Sequence, residues 1–247
     1  MITIKDAAAF DRMRRAGKTV AEVLLALEKA AVPGVTTRDL DELAADMIRD
    51  GGCTPSFLGY HGYPATICTS PNNVIVHGIP DEYALKEGDL LSVDVGAIFE
   101  GYHGDAARTF PIGQVSEESE RLIRVTEEAM VAGIAQVEAG ARVGSISAAV
   151  QKVAEGGGFS VVREYVGHGI GEQMHEEPQI PNFGEPGKGL RLKEGMALCI
   201  EPMVNIGGWR TELLEDGWTV VTADGGLSAH FENTVAITDE GPEVFTI

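Results

Sequence analysis

Apolar residues recur at three- and four-residue steps through the first fifty positions. Phe10, Met13, Gly17, Val20, Leu24 and Leu27 fall on one face of a helix that ends near Pro33-Gly34. Thr36 or Thr37 caps a second helix carrying Leu40, Leu43, Met47 and Ile48, stopped by Gly51-Gly52. A polar, glycine-rich stretch follows, FLGYHGYPATICTSPNNVIVHGIP, with turn signals at Gly62-Tyr63-Pro64 and Pro71-Asn72-Asn73. The pattern then becomes strand-like. Leu90 to Val95 reads as a strand, Glu100-Gly101 as a turn, and Tyr102 onward as the return strand. Ser116 opens a third helix with Leu122, Val125, Ala129, Gly133 and Val137, ended by Gly140. A fourth carries Ile146, Val150 and Val153 and stops at Gly156-Gly157-Gly158. A strand-like run from Val161 to Val166 leads into GHGIGEQMHEEP. ALCIEPMV, a polar hairpin with Trp209 and Trp218, and AHFENTVAIT follow.

This order repeats. EKAAVPGVTTRDLDELAADMIRDGG echoes AQVEAGARVGSISAAVQKVAEGGG, with Gly34 matching Gly140 and Gly51 matching Gly157, both at a step of 106 (140 − 34 and 157 − 51). Gly62 matches Gly169, and KEGDLLSVD matches KEGMALCIE, so Asp94 matches Glu201 at a step of 107 (201 − 94). His103-Gly-Asp105 pairs with His230-Phe-Glu232 in the same way, the second half being longer there by the Trp hairpin. A period this long is not a solenoid. It predicts two similar halves, each of two helices plus strands, related by an approximate two-fold axis.

The bulk numbers narrow the class. A chain of 247 residues, 44% hydrophobic and 23% charged, suits one globular unit or two tightly packed halves. No window approaches the ~20 unbroken apolar residues of a membrane span. The start, Met1-Ile-Thr-Ile-Lys-Asp, lacks the basic-then-apolar layout of a signal peptide. Cys53, Cys68 and Cys199 are odd in number and show no CxxC spacing, which disfavours a disulfide framework or a cysteine zinc site and suits a reducing cytosol. A formal charge of −19 argues against broad nucleic-acid binding.

Four acids stand where acids are least expected. Asp94, Asp105, Glu201 and Glu232 each sit in or beside an apolar, strand-like run. With an even-numbered loop, Asp94 and Asp105 share one face of their hairpin, because side chains alternate with period two. Four convergent carboxylates cannot stay ionised together without positive charge, and Arg108 is the closest basic residue in sequence. A pair of divalent cations fits better. With one imidazole the set is oxygen-rich and suits manganese, iron(II), cobalt or zinc. His168, between two glycines, is the best imidazole; His61 matches it in the repeat and reads as a support residue. His103 and His230, each two residues before an acid, are rival ligands. His77 and His175, in Gly- and Pro-bounded loops, suit substrate contact or proton transfer. The chain has no P-loop, no HExxH, no GxSxG and no strand–GxGxxG–helix unit.

At these residues the chain closely resembles the type I methionine aminopeptidases. Matching stretches include GYHGYP, HGIP, DVGAIFEGYHGDAARTF, GHGIGEQMHEEP, IEPM and HFENT. The resemblance implies an α+β pita-bread fold: a single catalytic domain over 1–247 with pseudo-symmetric halves at about 1–115 and 116–247. It implies that Asp94, Asp105, His168, Glu201 and Glu232 are five metal ligands. Asp105 and Glu232 would bridge two ions, His168 and Glu201 would complete one, and Asp94 would chelate the other. A bridging hydroxide would attack the first peptide bond, with Glu201 passing its proton towards the leaving amine. His77 would lie near the scissile amide and His175 would polarise the carbonyl. Tyr60, Tyr63, Cys68, Met174 and Trp218 resemble the methionine side-chain pocket. Asn72, Val74 and Ser228 match a monovalent-cation site. Met174 stands where an aromatic residue is common, and Phe57 where a smaller one often sits; both bear on pocket shape.

The expected cofactors are therefore two divalent ions (cobalt, manganese, iron(II) or zinc) and a monovalent cation. The expected partners are nascent-chain N-termini and short Met-leading peptides, with a transient ribosome contact left open and neither membrane nor specific nucleic acid. A cytoplasmic monomer of the minimal bacterial form is expected, without a zinc-finger extension. Competing readings are a proline-specific peptidase on the same fold, a non-catalytic binding protein on it, and a metal-free acidic structural domain. The first usually carries a further N-terminal domain; the second loses metal ligands.

Overall fold

The computed structural model describes residues 2–247. Helices α1 (Ala7–Ala30) and α2 (Thr37–Asp50) begin at caps: Asp6 accepts from Ala9 N, and Thr36 forms a reciprocal capping box with Asp39. Short strands β1 (Thr54–Pro55), β2 (Cys68–Pro71) and β3 (Val74–Val76) lead to the long hairpin β4 (Leu90–Phe99) and β5 (Tyr102–Pro111). Glu100 and Gly101, at φ 46° and 83°, make the two-residue turn whose twist suits a hairpin. Asp94 faces Ala107 and Gly96 faces Asp105 in the ladder, so the two aspartates share a face, as the period-two pattern predicts.

The second half repeats the plan. Helices α3 (Glu117–Ile134) and α4 (Val143–Gly156) precede β6 (Ser160–Val161), β7 (Gly167–Gly169), β8 (Glu176–Ile180), β9 (Ala197–Ile200) and β10 (Met203–Asn205). The Trp hairpin, β11 (Thr211–Leu213) and β12 (Val220–Thr222), precedes β13 (Ser228–His230), β14 (Asn233–Thr238) and β15 (Gly241–Val244). In one half α1 and α2 cover β4 and its neighbours, through a core that includes Leu24, Leu27, Leu40, Val93 and Val95. In the other α3 and α4 cover β9, β10 and their neighbours, through Leu122, Val150, Leu198 and Ile200 among others. The α1–β5 approach needs Gly104, since a Cβ there would lie 2.6 Å from Gly17 N; a Cβ on Gly17 would instead meet Phe245 O.

The halves meet where β5 runs beside β13 and β14. Glu232 N donates to Ala107 O at 2.9 Å. Thr234 Oγ1 accepts from Asp105 N at 3.0 Å and donates to Asp105 O at 2.8 Å. Thr109 Oγ1 likewise donates to His230 O and accepts from His230 N, both at 2.9 Å.

Several sequence expectations are corrected. Helix α3 ends at Ile134, not at Gly140. Val137 keeps the apolar spacing, but its N–H bonds to Ile134 O, and Gly140 N is taken by Leu192 O. Val161 to Val166 is not one strand. Only Ser160–Val161 pairs with β10, and the chain then bends so that Arg163 packs between Phe183 and Trp209. The ladders also re-index the repeat. Ser92 faces Ser70 and Cys199 faces His168, so the strand position equivalent to His168 is Ser70, not His61. The first half has eight more residues between these strands (15 from Pro55 to Ser70, 7 from Val161 to His168), and they carry Tyr60, His61 and Tyr63. The return strands align at a step of 125 (230 − 105), not the 127 of the sequence echo, because Gly96 faces Asp105 while Met203 faces His230. A slip of two keeps every side chain on its face, so the acids still converge.

Candidate metal centre

Each acid is delivered by the strands of the seam. Asp94 and Asp105 project from the hairpin. Glu201 and Glu232 sit opposite each other where the second ladder pauses, between the Ile200–Asn233 and Met203–His230 pairs. His168 comes from β7, which pairs with β9. Its Nδ1 donates to Gly169 O at 2.9 Å, which leaves the Nε2 lone pair free, 3.4 Å from Glu201 Oε1.

The electrostatics are those of a site built for cations. Asp105 and Glu232 are 4% and 2% exposed. Asp94 Oδ1, Asp105 Oδ1, Glu232 Oε1 and His230 Nε2 are buried and have no hydrogen-bond partner among the described residues. Folded proteins rarely tolerate such orphans. Burial pushes Asp94 up to about 7. Burial, reinforced by the neighbouring carboxylates, pushes Asp105, Glu201 and Glu232 well above the usual range. The imidazoles move the other way: burial lowers His168 and His230 to about 3 and His77 to about 4. Neutral imidazole and carboxylate oxygen are the donors that divalent first-row cations take. Ligand atoms of Asp105, His168, Glu232 and Cys199 lie within 4.8 Å of one another, as do those of Glu201, His230 and Glu232. The residues present therefore fit divalent cations.

A cavity of about 170 Å³ opens onto these groups. At ~30 Å³ per water it holds about six water volumes, room for one side chain and not for a folded partner. Phe57, Tyr63, Cys68 and Met174 form its apolar side, packed with Tyr60 and Trp218. The Tyr63 and Trp218 rings meet edge-on at 5.1 Å, and Tyr63 OH donates to Gly78 O at 2.9 Å. Val76 pairs with Val220, which brings the Trp hairpin against the chain entering His77. His77 holds φ 60° and lies edge-on to Tyr165 at 5.8 Å. His175 lies edge-on to His168 at 4.3 Å, with its Nδ1 hydrogen-bonded to Tyr60 OH at 2.8 Å.

Metallopeptidase family M24 matches residues 11–239. The chain belongs to this family. Its likeness to a methionine aminopeptidase of Clostridium perfringens is 52% identity over 247 residues, covering 100% of this chain and 99% of that one. The solved methionine aminopeptidase of Thermotoga maritima superposes with a TM-score of 0.98 at 46% identity, covering 100% of this chain and 99% of that one. A prolidase from Pyrococcus furiosus shares the fold, with a TM-score of 0.80 at 20% identity over 65% of its own length. Pita-bread architecture and M24 membership thus agree with the reading of the sequence.

The structure gathers all five expected ligands, the two histidines and the five pocket residues around one cavity. His103 stays outside the cluster, with its Nδ1 bonded to Ser56 Oγ at 2.9 Å, and His61 sits on the 3-10 turn Tyr60–Gly62 beside Tyr60. His230 lines the cavity and remains beside the acids. Ser228 N donates to Asn72 O, so these two residues of the expected monovalent-cation set are adjacent. The Asn72 amide itself bonds Asp89 Oδ1 and Leu90 N. Sequence reasoning missed Cys199, Met203 and Thr234. Each lies two residues from Glu201 or Glu232, so strand alternation applied outward from the acids would have found them. It also missed what Arg108 does: its guanidinium donates to Glu232 O and to Asn233 Oδ1, holding the backbone behind the glutamate.

Proposed function

We propose that the protein is a dimetal methionine aminopeptidase, releasing the N-terminal methionine of nascent chains and short peptides. The observation that carries this reading is the meeting of four carboxylates, Asp105 and Glu232 buried and Asp94 and Glu201 partly so, with the free His168 Nε2 on a cavity that has an aromatic, thiol and thioether lining. Asp94, Asp105, His168, Glu201 and Glu232 are the residues that would hold two divalent ions, drawn from manganese, iron(II), cobalt and zinc. The chemistry such ions supply when bound is Lewis-acid polarisation of a carbonyl and acidification of water near neutral pH.

The remaining work falls to the chain. Phe57, Tyr63, Cys68, Met174 and Trp218 take the methionine side chain, where thioether–aromatic contacts are favourable. Burial of that side chain among these residues fixes the scissile bond beside the acids. Tyr60 fixes the His175 ring through Nδ1, so its Nε2 can donate to the carbonyl oxygen as charge develops there. His77 is held neutral by burial and so hydrogen-bonds the leaving nitrogen without adding charge. Glu201, lining the cavity between the His168 and His230 imidazoles, is placed to take a proton and deliver it to the departing amine.

We place the activity in the cytoplasm, exerted by a monomer on chains emerging from the ribosome. Asn72, Val74 and Ser228 are kept as a monovalent-cation site. Among the described residues no helix is long and apolar enough to cross a membrane. The discriminating assay compares a Met-Ala peptide with one bearing proline at the second position and a non-methionine leader. Release of methionine from the first, with the second untouched, is expected. Cleavage of the second alone would favour the proline-peptidase reading.

A further inference from the structure

Two imidazoles flank the Glu201 carboxylate. His168 Nε2 is 3.4 Å from Oε1, and His230 Nε2 is 3.8 Å from Oε2. His168 belongs to the expected ligand set; the resemblance assigns His230 no role. The His230 distance is too long for a hydrogen bond. It does suit two donors sharing one ion: with bonds of about 2.1 Å, neighbouring donors sit roughly 3.0–3.4 Å apart and opposed ones roughly 4.2 Å. Ligand atoms of Glu201, His230 and Glu232 all lie within 4.8 Å of one another.

His230 is also held in place. It is 2% exposed, its backbone is clamped on both sides by Thr109 Oγ1, and it faces Met203 in the ladder. Its Nε2 is buried without a partner among the described residues. His103, the other histidine two residues before an acid, has given its Nδ1 to Ser56. An imidazole nitrogen kept dry and unbonded beside carboxylates carries a desolvation cost that a cation removes.

We propose that His230 is a sixth protein donor of the metal centre, binding through Nε2 the ion that Glu201 and Glu232 hold. The proposal rests on the metal reading of this site. A second nitrogen would shift the preference of that ion position from manganese towards cobalt, iron(II) or zinc.

The test is proton NMR of the cobalt-loaded protein, with calorimetric cobalt titration of wild type, His230→Gln and His103→Gln. Two strongly contact-shifted imidazole ring-proton sets are expected in the wild type and one in His230→Gln. Cobalt affinity should fall at least about tenfold in His230→Gln and stay within about twofold in His103→Gln. A single contact-shifted imidazole in the wild type overturns the proposal, and this count needs no variant to fold. Equal cobalt affinity in His230→Gln and wild type also overturns it. A wild-type protein that takes up no divalent ion would instead defeat the metal reading itself.

Discussion

Loading the metal-free protein with manganese at pH 7 should release protons. The perturbation is metal addition, and the magnitude follows from the burial of the acids. Asp94, pushed up to about 7, is half protonated there. Asp105, Glu201 and Glu232 are pushed well above the usual carboxylate range by burial and mutual repulsion. A cation must displace the protons these groups hold, so about one to three should be released per protein at pH 7. Histidine does not confuse the count. His168 and His230, lowered to about 3, and His77, lowered to about 4, are already neutral in the folded protein. The sign is fixed: apparent affinity rises with pH, by about 1.4 kcal/mol per pH unit for each proton released. Calorimetric titration at pH 7 in two buffers of different ionisation enthalpy gives the number directly. Equal heats in both buffers, or an affinity flat from pH 6 to 8, would refute the reasoning.

Three further outcomes follow from single contacts. Thr234→Val removes both hydrogen bonds to the Asp105 backbone, so it should cost about 2 kcal/mol in urea unfolding and weaken metal binding, with Thr234→Ser restoring most of both. Tyr60→Phe frees His175 Nδ1; kcat on a Met-Ala peptide should drop about tenfold with little change in KM, and an unaltered kcat would show that the hydrogen bond is idle. Metal-free Asp94→Asn should gain stability relative to metal-free wild type as pH rises from about 5 to 7. The folded Asp94 carboxyl keeps until about 7 a proton that the unfolded chain has already released, and both proteins share the same histidines; a difference in urea midpoint that stays flat across this window in EDTA would contradict the assignment.

Much of the architecture is written locally in the chain. Asp94 and Asp105 flank a two-residue turn that Glu100-Gly101 announces, and alternation alone puts them on one face. The Lys-Glu-Gly repeat ties Asp94 to Glu201 with no knowledge of the fold. What local pattern could not carry is set by tertiary pairing. Val137 keeps helical spacing beyond the end of α3, where the chain tightens into three-residue turns (Gln136 N to Gly133 O, Val137 N to Ile134 O) before Gly140 N pairs with the distant Leu192 carbonyl. The His61–His168 match fails because the first half spends eight extra residues building a pocket wall, and sequence alignment without strand register cannot see where they fall. Strand β15 went unnoticed, since its pattern, Gly-Pro-Glu-Val, carries little strand signal, and it exists as the partner of β14. His103 and His230 are alike in sequence, each two residues before an acid. Tertiary structure separates them: His103 bonds Ser56 outside the cluster, whereas His230 lines the cavity beside Glu201.

The most direct test of the metal-centred account is methionine release from Met-Ala-Ser by metal-stripped protein, before and after manganese, cobalt, iron(II) or zinc is restored, with Asp105→Asn alongside. The account predicts no release without metal, recovery with at least one of these ions, and no recovery in Asp105→Asn despite an unchanged fold. Full release by the stripped protein, or equal release by the variant, would contradict it.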